Sequence, residues 1–303
     1  MPELAPREAL IRVRTAGICN TDLELVKGYR EFRGVPGHEF VGIVERAPGA
    51  AAWEGCRVVG EINAACTTCP TCLAGRPTHC PSRTALGIVG RDGAFAEYLT
   101  LPVRNLHLVP DSIPDEIAVL TEPLAAACKI LEQIHVRPTD RVVVLGDGKL
   151  GLLCAQVLAL TGCDLIVVGR HRKKLDILAR RGIPIALDGD DDGAGSADIV
   201  VEATGRPEGF AAARRLVHPR GTIVLKSTYH GSIDIDLTMA AVDEITLLGS
   251  RCGPFAPALR LLEQGSVAVI QLVQARYPLS QAIEAFERAA QPGTLKVLID
   301  VEL

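Results

Sequence analysis

Aromatic side chains are scarce in this chain of 303 residues, with six Phe, four Tyr and one Trp making up 4% of it, and Met occurs only twice. Net charge is also small, at -4, which gives no reason to expect a nucleic-acid or membrane partner. No uninterrupted apolar run reaches the length of a spanning helix; the longest stretch, 150–168, contains Gln156 and Asp164. The N-terminus, MPELAPREAL, lacks a basic region followed by an apolar segment, so no signal peptide is expected. What is present is a 48% hydrophobic composition with 29 Gly and 19 Pro, which suits a soluble α/β protein. The length allows two domains with a sizeable core. Ten cysteines would fit a secreted disulfide protein, but the chain is too large for a disulfide-stapled mini-domain. Four of them also cluster at metal-ligand spacing, so a reducing compartment, the cytoplasm, is expected.

The first third reads as short strands. Residues 9–14, 40–45 and 57–60 carry strand patterns, 61–93 is a cysteine-rich loop, and strand character returns at 94–101 and 106–109. Beyond Pro114 the pattern changes. Residues 115–133 have helical spacing, interrupted or begun at Pro123, and RVVVL at 141–145 suits a buried parallel strand. Helices at 150–160, 173–181 and 208–216 then alternate with strands at 165–168, near 185, and at 198–202, 222–226 and 245–248. That alternation predicts a doubly wound parallel sheet. The acidic stretch 188–196 reads as a solvated loop, and a helix is expected at 257–264. The last segment, from 272, reads as strand, helix (280–290) and strand (296–301).

Three stretches carry chemistry. Residues 15–39 offer Cys19, Thr21, Asp22 and the pair His38-Glu39, a set able to make a zinc site with one position open, provided that folding unites it. Cys66, Cys69, Cys72 and Cys80 have the spacing of a closed structural zinc site; His79 lies within this lobe, but four thiols suffice. Gly146-Asp147-Gly148-Lys149-Leu150-Gly151 follows a strand and opens a helix, the context in which such a loop admits a pyrophosphate to a helix N-terminus. The next strand ends in Gly169-Arg170-His171-Arg172 with no carboxylate to hold a ribose diol. Arg170 is placed to meet a 2′-phosphate, with His171 or Arg172 as a second contact, so NADP(H) is favoured over NAD(H).

With these motifs in order, the chain resembles the zinc-dependent medium-chain alcohol dehydrogenases, in the polyol and threonine dehydrogenase branch. The residues that carry the likeness are GICNTD (17–22), GHEFVGIV (37–44), the four-cysteine lobe, RDGAFAEYL (91–99), EPLA (122–125), GDGKLG (146–151) and VEATG (201–205). The resemblance implies a GroES-like mostly-β catalytic domain, residues 1–123 with 268–303, around a Rossmann domain, 124–267. It implies catalytic zinc ligands Cys19 and His38 with one or both of Glu39 and Glu122. It makes Asp22 the partner that orients His38 and Thr21 the group that hydrogen-bonds the substrate hydroxyl. Thr204, Gly205 and Arg251 would line the nicotinamide side. The implied activity is hydride transfer between NADP(H), or NAD(H), and a secondary alcohol, polyol or sugar, in a homo-oligomer, dimer or tetramer.

Two departures stand out. Glu24 occupies the position of a histidine that completes the family's proton relay, which leaves the relay open between Glu24 and another route. A strand's worth of residues that the family places ahead of Pro2-Glu3 has no counterpart, so either a shortened or a mis-assigned start is expected, and with it a less complete substrate cleft. Two readings therefore compete with the main one. One is a zinc-free reductase of the same fold; the other is a non-enzymatic dinucleotide-binding protein.

Overall fold

The computed structural model describes residues 2–190, 193–228 and 235–301. Asp191 and Asp192, inside the expected acidic loop, lie outside the described residues. The chain runs β1 (Glu8–Gly17), α1 (Asn20–Val26), β2 (Glu39–Arg46), β3 (Arg57–Gly60), β4 (Asn63–Ala64), α2 (Pro70–Leu73), β5 (Thr84–Ala85), β6 (Tyr98–Pro102), β7 (Leu106–Leu108), α3 (Asp115–Ala118) and α4 (Thr121–Gln133). It continues with β8 (Arg141–Leu145), α5 (Lys149–Ala159), β9 (Asp164–Gly169), α6 (Arg172–Ala179), β10 (Ile185–Leu187), β11 (Ala197–Glu202), α7 (Glu208–Leu216), β12 (Val217–Leu225), α8 (Leu237–Val242) and β13 (Thr246–Gly249). It closes with α9 (Phe255–Glu263), β14 (Val273–Pro278), α10 (Ala282–Ala290) and β15 (Lys296–Asp300).

Two units result, one of residues 1–122 with 255–303 and one of 123–254. The first is a GroES-like sheet, ordered β14–β15–β1–β2–β3–β7 with β6 on β1. Ala9, Ile11 and Val13 of β1 are fully buried, so this strand forms the middle of the core. β15 pairs with β1 through Thr15 and Asp300, which returns the end of the chain to the first sheet. The expected boundary at 267 lies instead at 254: Phe255, Ala258, Leu259 and Leu262 of α9 are buried in the first unit.

Two local expectations are corrected. Residues 94–97 do not extend β6, because the Ala94 N–H bonds to the Gly37 carbonyl at 2.9 Å and that of Phe95 to Pro36 at 3.1 Å. These bonds bend the segment across the loop ahead of β2. The helix expected at 115–133 is split into α3 and α4. Pro123 stands in the first turn of α4, where a missing N–H costs no intrahelical bond.

The second unit is a six-stranded sheet, β10–β9–β8–β11–β12–β13, parallel throughout. Numbered within the unit this is the order 3-2-1-4-5-6 of the doubly wound dinucleotide fold. Val142, Val143 and Val144 of β8 are fully buried, as a central parallel strand requires. Among the described residues, no helix is long and apolar enough to cross a membrane.

A surface pair at the start of β11 gives this unit a pH dependence. His218 Nε2 lies 2.9 Å from Asp198 Oδ1, with the two side chains 32% and 41% exposed. Asp198 raises the pKa of His218, and the hydrogen bond from His218 lowers that of Asp198. A raised histidine stabilises fully below its unfolded value, about 6.5, and less as pH rises through the folded one. The lowered carboxyl loses its contribution only as pH falls through its own folded value, below the usual Asp range. An ion pair this exposed is worth only about 0.5 kcal/mol. Thermal unfolding should therefore separate wild type from His218→Ala slightly near pH 5.5 and less near pH 8.5, about one pH unit below and about two above the ordinary histidine pKa. A gap that widened with alkaline pH would contradict the pairing.

Candidate active site and cofactor site

In the first unit, one carboxylate gathers the residues that the sequence separates. Cys19 precedes α1 with extended backbone, φ -99°, and Asp22 stands in the first helical turn. Asp22 Oδ2 accepts the Cys19 N–H at 2.7 Å, and Oδ1 accepts the Gly37 N–H at 3.2 Å. The same Oδ1 lies 3.2 Å from His38 Nδ1. The loop between Cys19 and His38 is thereby tied at both ends. Burial works against charge on His38, yet Asp22 beside it raises the imidazole pKa well above its ordinary value.

Ligand-capable atoms of Cys19, His38 and Glu39 all lie within 4.8 Å of one another. Glu39 opens β2 opposite Gly17, where any side chain would clash: a Cβ at 17 would sit 2.5 Å from Glu39 Oε2. Glu39 is fully buried, and its Oε1 has no hydrogen-bond partner. Thr21 Oγ1 lies 3.9 Å from Cys19 Sγ. Glu122, the second residue of α4, is not in this group of three. Glu24, the alternative relay residue, is paired with Lys27 at 2.8 Å.

Sequence reasoning missed Lys296. Its side chain is fully buried, its ammonium pairs with Glu39 Oε2, and it donates to the Ile18 carbonyl at 3.1 Å. Burial opposes its charge, but Glu39, with Cys19 beyond it, holds the ammonium above the ordinary lysine value. The available signal was a lysine at the head of an apolar strand, KVLID, every residue of which but the last is buried. A thiol, an imidazole and a carboxylate with one unsatisfied oxygen suit zinc in charge and in ligand type.

The cysteine lobe is equally well formed. Sγ–Sγ separations are 3.5 Å for Cys69–Cys72 and Cys66–Cys80, 3.8 Å for Cys69–Cys80 and 4.0 Å for Cys66–Cys72. Four sulfurs on a tetrahedral zinc with bonds of about 2.3 Å stand about 3.8 Å apart, whereas a disulfide needs about 2.05 Å. Backbone N–H groups of Thr68 and Cys69 bring the Cys66 thiol down to about 6, while burial and the Cys69 thiol push Cys72 up to about 12.

In the second unit, β8 turns at Gly146 with φ +118°, where the backbone passes so close to Ala203 that a Cβ would meet its carbonyl at 2.5 Å. Gly148 caps α5, Lys149 and Leu150 begin it, and Gly151 packs its Cα against the Gly146 carbonyl. Asp147 points to the end of the neighbouring strand β9. Its Oδ2 accepts the N–H groups of Arg170 at 2.7 Å and His171 at 2.6 Å, and lies 2.9 Å from His171 Nδ1. Burial opposes the charge on Asp147, but these bonds, with Lys174 at 3.9 Å, hold its carboxyl below the usual range.

Among the candidates for a 2′-phosphate, His171 is therefore engaged by Asp147, and Arg172 pairs with Asp176 at 2.9 Å. The Arg170 side chain is exposed. Thr204 is held by Glu202 at 2.8 Å through its N–H, and the Gly205 N–H bonds to Ser227 at 2.7 Å. The Arg251 carbonyl receives the buried Lys226 ammonium at 3.1 Å.

Comparison with known proteins agrees with this anatomy. Residues 5–111 match the alcohol dehydrogenase GroES-like domain, and residues 115–301 match the glucose dehydrogenase C-terminus. The chain is 29% identical to L-galactonate-5-dehydrogenase of Escherichia coli K12, covering 95% of this chain and 89% of that one. It is 29% identical to sorbitol dehydrogenase of Halalkalibacterium halodurans, covering 98% and 93%. A zinc-binding dehydrogenase from Sinorhizobium meliloti 1021, solved bound to NADP, is 30% identical with a TM-score of 0.89, covering 99% of this chain and 93% of that one. The chain therefore belongs to the zinc-type medium-chain alcohol dehydrogenases, polyol and threonine dehydrogenase branch, and is an NAD(P)-dependent oxidoreductase of small-molecule alcohols.

Proposed function

We propose that Cys19, His38 and Glu39 hold the catalytic zinc of a dehydrogenase acting on a secondary alcohol, polyol or sugar, or on the matching carbonyl. The observation that carries this is the convergence of three ligand atoms within 4.8 Å, one of them beside an unsatisfied buried Glu39 oxygen. Glu39 rather than Glu122 is the third ligand in this reading, because only Glu39 is in the group. Cys66, Cys69, Cys72 and Cys80 hold a second, structural zinc. When bound, the catalytic zinc supplies a Lewis acid that polarises the carbonyl and lowers the alcohol pKa, and the nicotinamide supplies the hydride acceptor or donor.

The chain's own groups do the rest. Asp22 fixes the Cys19 and Gly37 N–H groups and sets its charge 3.2 Å from His38 Nδ1, so the two ligands keep their spacing. Thr21 Oγ1, 3.9 Å from the Cys19 sulfur, hydrogen-bonds the substrate hydroxyl and begins the proton path by passing on its own hydroxyl proton as it takes the substrate's. Glu24 is paired with Lys27 at the surface, and the exit stays open between Glu24 and another route. Gly146, Asp147, Gly148, Lys149, Leu150 and Gly151 form the pyrophosphate turn, Gly169 and Arg170 the ribose side, and Thr204, Gly205 and Arg251 the nicotinamide side. Arg170 favours NADP(H), and the NADP-bound relative supports that preference. A homo-oligomer, dimer or tetramer, and a cytoplasmic location belong to the same reading.

The test is turnover. Purified protein is expected to reduce NADP+ with at least one member of a panel of polyols and sugar acids, and to stop after treatment with a zinc chelator. Turnover that survived complete metal removal would point to the zinc-free reductase. Cofactor binding with no turnover across the panel would point to a non-enzymatic role.

A further inference from the structure

The end of β9 lacks an acidic residue in the sequence, yet it does not lack a carboxylate in space. The residue closing β9 is Gly169, the position from which NAD-specific enzymes direct an acid at the ribose hydroxyls. A Cβ built there would sit 2.7 Å from Asp147 Cβ and 2.9 Å from Asp147 Oδ2. Asp147 thus fills the volume that a strand-end side chain would need, and the two acids exclude one another. Its carboxylate reaches the ribose corner from the phosphate-binding turn, 23 residues ahead of Arg170.

We infer that Asp147 is a specificity-determining residue for the cofactor, its carboxylate opposing the 2′-phosphate that Arg170 attracts. The geometry separates two roles within one side chain. Oδ2 is committed to the Arg170 and His171 N–H groups and the His171 ring, so it shapes the loop. Among the described residues Oδ1 has only His171 Nδ1 at 3.2 Å and Lys174 Nζ at 3.9 Å, and an ionised carboxylate oxygen can accept more than this. A ribose hydroxyl can donate to it; a phosphate dianion cannot. The N–H groups of Arg170 and His171, which would otherwise serve a phosphate at the start of α6, are already taken. Arg170 is then left to hold the phosphate without backbone help and against a fixed negative charge. The consequence is a shallow preference, with both cofactors accepted.

The inference rests on residues 146–172 being the dinucleotide site, but not on which cofactor wild type prefers, because it concerns the change in the ratio. Dissociation constants for NADPH, NADH, adenosine 2′,5′-bisphosphate and 5′-AMP would be measured by calorimetry on wild type, Asp147→Asn, Asp147→Ser and Arg170→Ala. Asp147→Asn keeps the shape and an acceptor for both N–H groups while removing the charge. It is expected to shift the ratio toward NADPH and toward the bisphosphate by about tenfold, the size of one like-charge contact near a protein surface. Arg170→Ala should shift the ratio the other way. Asp147→Ser retains a small acceptor and repeats the test if the asparagine variant folds poorly. An unchanged ratio, or one moved toward NADH, would reduce Asp147 to a clamp and overturn the inference. If wild type bound none of the four ligands, the site reading and the inference would fall together.

Discussion

Replacing Lys296 with alanine is expected to destabilise the protein by about 3–5 kcal/mol, the usual cost of breaking a buried ion pair from one side. The ammonium has no exposure to water, and neither does its partner Glu39. Removing it leaves Glu39 Oε2 without its buried cation, and in zinc-free protein the other carboxylate oxygen is unsatisfied as well. It also frees the Ile18 carbonyl, next to Cys19, from its 3.1 Å bond. Urea unfolding at fixed zinc concentration measures the loss. A Lys296→Met, Glu39→Gln double variant should recover part of it, because the two charges then disappear together. A Lys296→Ala loss below about 1 kcal/mol would mean that the pair behaves as an exposed one.

Cys19→Ala should reduce kcat/KM by about a thousandfold while leaving the fold intact. Stabilisation by a Lewis acid is worth several kcal/mol, and each 1.36 kcal/mol is tenfold in rate. The thiol is half-buried beside α1 and contributes little packing, so thermal unfolding should move far less than turnover. Nearly unchanged turnover would remove Cys19 from the chemistry.

Features that depend on neighbours in sequence were readable from it, and features that depend on distant partners were not. The RVVVL strand and the GDGKLG turn place their defining residues within a few positions, and the four-cysteine lobe within one short loop, so spacing alone carried them. Cys19 and His38 needed the family resemblance, because their meeting depends on Asp22 tying both ends of a loop. Lys296 was out of reach: its partner Glu39 is 257 residues away, and a strand lysine ordinarily faces water. Asp147 was read as part of a phosphate turn, since nothing local shows that its carboxylate reaches the end of β9. That Pro123 stands near the start of a helix was legible, but the break at 119–120 ahead of α4 was not, and the bend at 94–97 depends on bonds to Pro36 and Gly37.

Zinc per chain, measured on purified wild type and Cys19→Ala in parallel, tests the central claim most directly. Two zinc ions falling to one is the expected result, with the ion of the Cys66, Cys69, Cys72 and Cys80 lobe retained. One zinc in both proteins would contradict it, leaving the lobe as the sole metal site and the Cys19, His38 and Glu39 cluster without a metal.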